Sequence, residues 1–214
     1  MSHRKESMLS QLQKIWYSLL GDRSEKEPDI KIVNVVASAS LEHEIDLQAV
    51  VKVFPTAEYR PEMFPGLVFH TKKPRTANLI FRTGKMVCTG AKSEKDARRA
   101  LKKVVRKLKR EGIVIYGRLR VKIQNIVASV TLGRRVDLVG FYESGADSGG
   151  RMMYEPEQFP GIIYRMEDPK AVILIFSSGK LVCTGTTKEK ETCRAVIKIR
   201  QKLDQNDAMI YERP

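Results

Sequence analysis

Carboxylates are the scarce charge in this sequence: 25 Asp and Glu stand against 39 Lys and Arg in 214 residues, a formal +14. A polyanionic partner, nucleic acid or an anionic membrane surface, is the first expectation from that imbalance. Histidine is scarcer still, with only His3, His43 and His70. With no repeated carboxylate pair and no phosphate-binding glycine loop beside them, no catalytic constellation is expected. Three cysteines, Cys88, Cys183 and Cys193, lack the close CxxC spacing of a zinc site or thiol redox motif and read as reduced, structural thiols. Long apolar runs are missing too: Ala171–Phe176 and Ile113–Tyr116 fall far below the ~20 residues of a membrane-spanning helix. The apolar stretch near the N-terminus is interrupted by Gln11, Gln13 and Lys14, so no signal-peptide core is expected and the protein should stay inside the cell. No cofactor, metal, small-molecule substrate or membrane partner is expected.

What the chain does have is repetition. The segment IVNVVASASL at 32–41 recurs as IQNIVASVTL at 123–132, 91 residues later. YRPEMFPG at 59–66 returns as YEPEQFPG at 154–161, and LIFRTGKMVCTG at 79–90 as LIFSSGKLVCTG at 174–185, both 95 residues later. The change of offset puts an insertion in the second copy between Leu138 and Tyr154, where Ser144 to Gly150 reads as a flexible loop. The organisation expected is an N-terminal extension at 1–28, a first repeat at 29–119 and a second at 120–214. Met8, Leu12, Ile15, Trp16 and Leu19 in the extension fall at helical spacing, and a docked amphipathic helix or a disordered segment would both fit.

Each repeat reads as a strand, a short helix, three short strands joined by tight turns, and a longer helix. Asn34, Val36 and Ser38 alternate with Val35, Ala37 and Ala39 at the strand period, and Asp46 is placed to cap a short helix carrying Val50, Val51 and Phe54. Gly84-Lys85 and Gly179-Lys180 mark hairpin turns. Ala97, Ala100, Leu101, Val104, Val105 and Leu108 form one face of the long helix, with Ser93 and Asp96 spaced as a capping box; Thr192, Ala195, Val196, Ile199 and Leu203 repeat the stripe. The class is therefore α+β, with helices on one side of an antiparallel sheet.

Strand parity then sorts the other face. If Cys88 and Cys183 point under the helices, Val87, Thr89, Val182 and Thr184 point away, as do Leu79, Phe81, Leu174 and Phe176, with Ile80 and Ile175 inward. That face is apolar, has two asparagines near its middle and almost no carboxylates. So large a patch calls for a partner, unless another subunit or the N-terminal extension covers it.

Through the paired Phe-Pro-Gly, Leu-Ile-Phe and Gly-Lys-x-Val-Cys-Thr-Gly motifs, residues 30–212 resemble the TATA-box-binding protein family. EPEQFPGIIYRM at 155–166 and the short N-terminal segment are similar to the archaeal branch. The resemblance implies a two-repeat saddle, a curved antiparallel sheet with helices on its convex face, which binds the TATA element of double-stranded DNA in the minor groove, bends it, and recruits transcription factor B and RNA polymerase into a pre-initiation complex. It assigns wedges to Phe64, Phe81, Phe159 and Phe176. The groove floor falls to Asn34, Val36, Leu79, Val87, Thr89, Asn125, Val127, Leu174, Val182 and Thr184. Phosphates fall to Arg75, Thr83, Lys85, Arg165, Lys170, Ser178 and Lys180, and factor B to Glu155 and Glu157. Two positions break the symmetry: His70 stands where the second copy has Arg165, and Arg82 where it has Ser177.

These residue types suit that task. A minor groove without guanine shows only N3 and O2 acceptors, so amide donors with branched apolar side chains read it by excluding the guanine amino group. A diverged relative that serves only as an interaction platform, or a single-stranded nucleic-acid module stacking bases on Phe81 and Phe176, are the alternative readings. Most of the positive charge lies elsewhere, since residues 92–122 hold thirteen basic against three acidic residues. Arg98, Arg99, Lys102, Lys103, Arg106, Lys107, Lys109 and Arg110 decorate the side of the long helix opposite its apolar stripe, either as a solvated face or as a docking surface for acidic partners or DNA.

Overall fold

The computed structural model describes residues 28–145 and 152–210. The helical spacing in the N-terminal extension and most of the Ser144 to Gly150 loop lie outside the described residues. The chain divides into two compact units, one of Ile32–Ile126 and the other of Val127 onward with the residues up to Lys31. The division falls inside two 12-residue strands, because each feeds both cores: Ile123 and Ile126 pack in the first, Ala128, Val130 and Ile30 in the second.

In the first unit, β1 (Asp29–Ser40) is followed by α1 (Leu47–Val53), β2 (Gly66–Lys72), β3 (Arg75–Phe81), β4 (Lys85–Ala91) and α2 (Glu94–Arg110). The strands are ordered β2-β3-β4-β1, each neighbouring pair antiparallel. Asp46 caps α1 as expected, accepting from the backbone N–H of Gln48 at 2.9 Å and of Ala49 at 3.1 Å. Ser93 Oγ accepts from Asp96 N at 3.0 Å and opens α2. The six apolar residues of the α2 stripe are all buried, and they cover Leu67, Phe69, Ile80, Met86 and Cys88 of the sheet.

The second unit repeats this with β5 (Arg120–Thr131), β6 (Arg135–Val136), α3 (Leu138–Glu143), β7 (Met152–Tyr154), β8 (Gly161–Met166), β9 (Ala171–Phe176), β10 (Lys180–Thr186), α4 (Glu189–Gln205) and β11 (Met209–Ile210). Its strand order is β5-β10-β9-β8-β7, and β6 pairs with β11 in a separate small ladder. The repetition is not complete. The segment before β2 makes only a single bridge, Glu58 to Val68, where β7 adds a strand to the second unit. The N-cap of α4 is Lys188, which supplies no side-chain acceptor; its ammonium instead meets Glu191 at 3.3 Å.

Both hairpin glycines adopt φ +76°, a conformation that a side chain resists. A Cβ on Gly84 would collide with the carbonyl oxygen of His43, and one on Gly179 with that of Arg134. Each turn is thereby held against the loop that follows the first strand of its repeat.

All three thiols are buried and unpaired with one another. Burial pushes Cys183 up to about 12, and it pushes Cys193 up to about 11 with Glu189 adding to the rise; Cys88 is raised by burial as well. The fold favours the neutral thiols, so their contribution to stability is complete below the ordinary thiol range near pH 9 and is lost as pH rises toward 11 to 12. A disulfide exchange reagent at pH 8 is therefore expected to find no reactive thiol in the folded protein and all three in guanidinium. Fast reaction of any of them in the native state would contradict this packing.

Candidate nucleic-acid interface

Strand alternation builds the candidate surface one side chain at a time. In β3 and β4 the buried residues Asn78, Ile80, Met86 and Cys88 face the helix, and the half-buried Ala77, Leu79, Phe81, Val87 and Thr89 face away. Register sets them side by side: Val68 opposite Leu79, Leu79 opposite Val87, Ala77 opposite Thr89, and Ser38 opposite Val87. The second unit repeats the row, with Ile163 opposite Leu174, Leu174 opposite Val182, and Val172 opposite Thr184. Val36, Val127, Asn34 and Asn125 are half-buried on β1 and β5. Among the described residues, none of these positions is a carboxylate and no helix packs on this side.

Asn34 is held by a backbone irregularity. The pairing of β1 with β4 slips by one residue between Val35 and Ala37, which leaves an extra residue in β4. Gly90, at φ +91°, is in that bulge, and its N–H donates to Asn34 Oδ1 at 2.7 Å; Thr89 Oγ1 donates to the same oxygen at 3.2 Å. Because a backbone N–H can only donate, the amide orientation is fixed, and what Asn34 has left to offer is its two Nδ2 protons. Thr89, expected to offer its hydroxyl outward, spends that proton on Asn34.

The four phenylalanines form two edge-to-face pairs. Phe64 and Phe81 have ring centroids 5.9 Å apart at 65°, and Phe159 and Phe176 are 5.6 Å apart at 61°. Phe64 is 40% exposed and the other three are half-buried. The adjoining glycines make room for the rings. A Cβ on Gly66 would lie 2.6 Å from Phe64 Cε1, and one on Gly161 would lie 3.1 Å from Phe159 and 3.2 Å from Phe176.

The expected rim residues are all exposed. Arg75, Lys85 and Lys180 open β3, β4 and β10, Thr83 and Ser178 stand in the hairpin turns, Arg165 is on β8, and Lys170 precedes β9. The structure joins Arg82, already marked by its difference from Ser177, to two cations not singled out in the sequence, Arg120 and Lys122. Arg82, Arg120 and Lys122 line a concavity of about 710 Å³ with Phe81, Thr83, Lys85 and Val87. A second concavity of about 1050 Å³ joins Asn34 and Thr89 to His70, Lys72, Arg75 and Lys92. The exposed, alternating Arg120 and Lys122 at the head of β5 were the available signal; only the fold shows that they line one concavity with Phe81. Arg82 and Arg120 approach Glu44 at 3.7 Å and Glu42 at 3.3 Å across exposed surface, pairs too wet to hold them firmly.

Glu155 and Glu157 are exposed in the turn between β7 and β8, where the Glu155 carbonyl accepts from the N–H groups of Gln158 and Phe159. Arg60 does the same for Met63 and Phe64, so the two repeats present opposite charges on the same backbone turn. No cluster of three or more metal-ligating side chains occurs among the described residues.

Comparison with known proteins agrees with this arrangement. The family model described as transcription factor TFIID, or TATA-binding protein, matches residues 29–111 and 120–206, once per repeat. The TATA-box-binding protein of Pyrodictium occultum is 52% identical over 179 residues, covering 84% of this chain and 88% of its own. That of Methanocaldococcus jannaschii is 48% identical over 175 residues, covering 81% and 92%. A solved structure titled Methanococcus jannaschii TBP superposes with a TM-score of 0.71 at 46% identity, over 83% of this chain and 99% of that one. The chain thus belongs to the TATA-box-binding protein family, whose members are general transcription factors and not enzymes.

Proposed function

We propose that this protein binds the TATA element of promoter DNA in the minor groove, bends it by inserting its phenylalanine pairs, and recruits transcription factor B and RNA polymerase in the nucleoid of an archaeal cytoplasm. The observation that carries the reading is the face opposite the helices, apolar across β3, β4, β9 and β10, with Glu58 beside Val68 at the edge of the first unit, and bearing in each repeat a preformed ring pair held beside a glycine. Each repeat supplies its own half of the reading surface. Val36, Leu79 and Val87, with Val127, Leu174 and Val182, press on the groove floor and exclude a guanine amino group. The Nδ2 protons of Asn34 meet N3 or O2 acceptors, and Asn125 plays the matching part.

The rings alone do not drive the bend. Unstacking a base step costs about a few kcal/mol, a figure already known for minor-groove wedge proteins of this same family. Full burial of a phenyl side chain would contribute about 4 to 6 kcal/mol, but Phe64 keeps only 40% of its surface exposed. About 80 Å² of a ~200 Å² side chain is left to bury, or ~2 kcal/mol per ring at most. A pair roughly cancels the unstacking cost. Net affinity then comes from the floor residues and the rim cations, and preference for TATA comes from steps that unstack cheaply.

The rim is uneven. Arg82, Arg120 and Lys122 enrich the first unit, whereas Arg165 replaces His70 in the second. The first turn balances Arg60 with Glu62 whereas the second carries both Glu155 and Glu157, and we assign Glu155 and Glu157 to factor B. A lopsided partner contact would fix the direction in which a nearly symmetric protein sits on its site.

A mobility-shift series with a TATA duplex, a GC-substituted duplex and a single strand at two salt concentrations tests the proposal. The TATA duplex should bind at least about 1000-fold tighter than the GC duplex. Equal affinity for both, or preference for the single strand, would reject groove reading. Asn34→Asp keeps the acceptor that Gly90 and Thr89 need while removing the amide protons and adding a negative charge. Its melting temperature should hold while TATA affinity falls about 10- to 100-fold, each bidentate contact being worth about 1 to 3 kcal/mol. Undiminished affinity would remove Asn34 from the interface. Glu155→Lys with Glu157→Lys should leave DNA binding intact and abolish the ternary complex with factor B; an unchanged ternary complex would take both residues off that surface.

A further inference from the structure

We propose that the exposed side of α2 is a second, sequence-independent DNA site that holds the phosphate backbone of a duplex on the face of the first unit opposite the groove-reading side. Lys95, Arg99, Lys102, Arg106 and Lys109 recur at intervals of four, three, four and three residues and so form a single stripe along the helix. All five are exposed, and none meets a carboxylate among the described residues. The stripe is about 21 Å long at 1.5 Å per residue, which spans roughly six phosphates of one strand at 3.4 Å of helix axis each.

The other repeat shows that the fold does not require the last three of these charges. The matching positions of α4 are Lys190, Arg194, Ile197, Gln201 and Asp204, and Ile197 is 5% exposed. Apart from the exposed Lys190, the cations that α4 carries are bound within the unit. Arg194 and Lys198 hold Asp168 in the turn before β9, Arg200 meets Asp204 at 3.7 Å, and Lys202 meets the Tyr164 hydroxyl at 3.2 Å. The α2 cations with comparable structural duties lie off the stripe: Lys103 donates to the Lys73 carbonyl, Arg98 to that of Val121, and Lys107 sits over the Phe69 ring. The stripe itself has no structural duty in the first unit.

The composition of the face selects the partner. Every exposed residue within α2 is cationic: Lys95, Arg98, Arg99, Lys102, Arg106, Lys109 and Arg110. A protein interface centres on an aromatic or aliphatic anchor in a dry pocket, and this face offers neither. A row of cations with no apolar centre matches a regular polyanion, where affinity comes from counterion release.

The test uses the full chain with Val87→Glu and Val182→Glu, which place carboxylates on the groove-reading face, so that binding elsewhere is read alone. Into this background go Arg99→Gln, Lys102→Gln, Arg106→Gln and Lys109→Gln; glutamine has nearly the helix propensity of lysine, and circular dichroism checks the fold. A milder pair, Lys102→Gln with Arg106→Gln, guards against loss of the helix, the second change installing the residue found in the other repeat. Fluorescence anisotropy with a GC-only duplex is followed from 50 to 300 mM salt. The background protein should bind the duplex, and the four-fold variant should bind at least about tenfold more weakly at low salt, its log–log salt slope shallower by about 3 to 4. The pair should lose about half of that slope. Absence of duplex binding by the background protein, or identical slopes with and without the stripe, would overturn the proposal. So would variants that keep the duplex but lose polyglutamate, an outcome that points to an acidic protein instead.

Discussion

The alternation of a β-strand, with successive side chains on opposite faces, is the constraint from which the rest of this molecule follows. Each repeat has one long helix, and it covers one face of its strands. The inward positions are then free to be Ile80, Met86, Cys88 and their counterparts, while every second residue is left outside on a surface no described element covers. A soluble protein ordinarily fills such positions with charge. Here they are Val36, Leu79, Val87 and their equivalents, and the missing carboxylates are as informative as the apolar side chains present.

That surface is prepared before any partner arrives. The extra residue in β4 turns the Gly90 N–H toward Asn34 and fixes the amide, while the glycines that open β2 and β8 leave space for the ring pairs. Preparation has an energetic side. Rings already packed against each other have less area left to bury, so they contribute less to binding than free rings would, but little conformational entropy is lost when they act. Under the proposed function, insertion and floor contact would be complementary, the one creating the shape that the other rewards.

Duplication supplies an internal control. Residues that agree between the repeats, such as the hairpin glycines, the phenylalanine pairs and the inward cysteines, mark what the unit needs in order to fold and to present its surface. Residues that differ mark what each half does alone. Arg60 against Glu155, Arg82 against Ser177 and Lys102, Arg106 and Lys109 of the α2 stripe against Ile197, Gln201 and Asp204 all change charge while the backbone around them is kept. Besides the added β7 and the β6–β11 ladder of the second unit, the asymmetry lies in the electrostatics, on turns and helix faces where a substitution has little effect on the core.

The sequence by itself determined the repeat, the class, the helix stripes, the Asp46 and Ser93 caps and the parity that puts Leu79 and Phe81 outside, because each depends on local spacing or on identity between copies. Only the tertiary structure decided matters that depend on the register of one strand against another or on distant segments meeting. These are the bulge that takes the Thr89 proton for Asn34, the added strand β7, the ladder of β6 with β11, and the concavity that Arg120 and Lys122 share with Phe81. A one-residue slip between paired strands leaves no trace in the periodicity of either strand alone, yet it redirects every hydrogen bond beyond it.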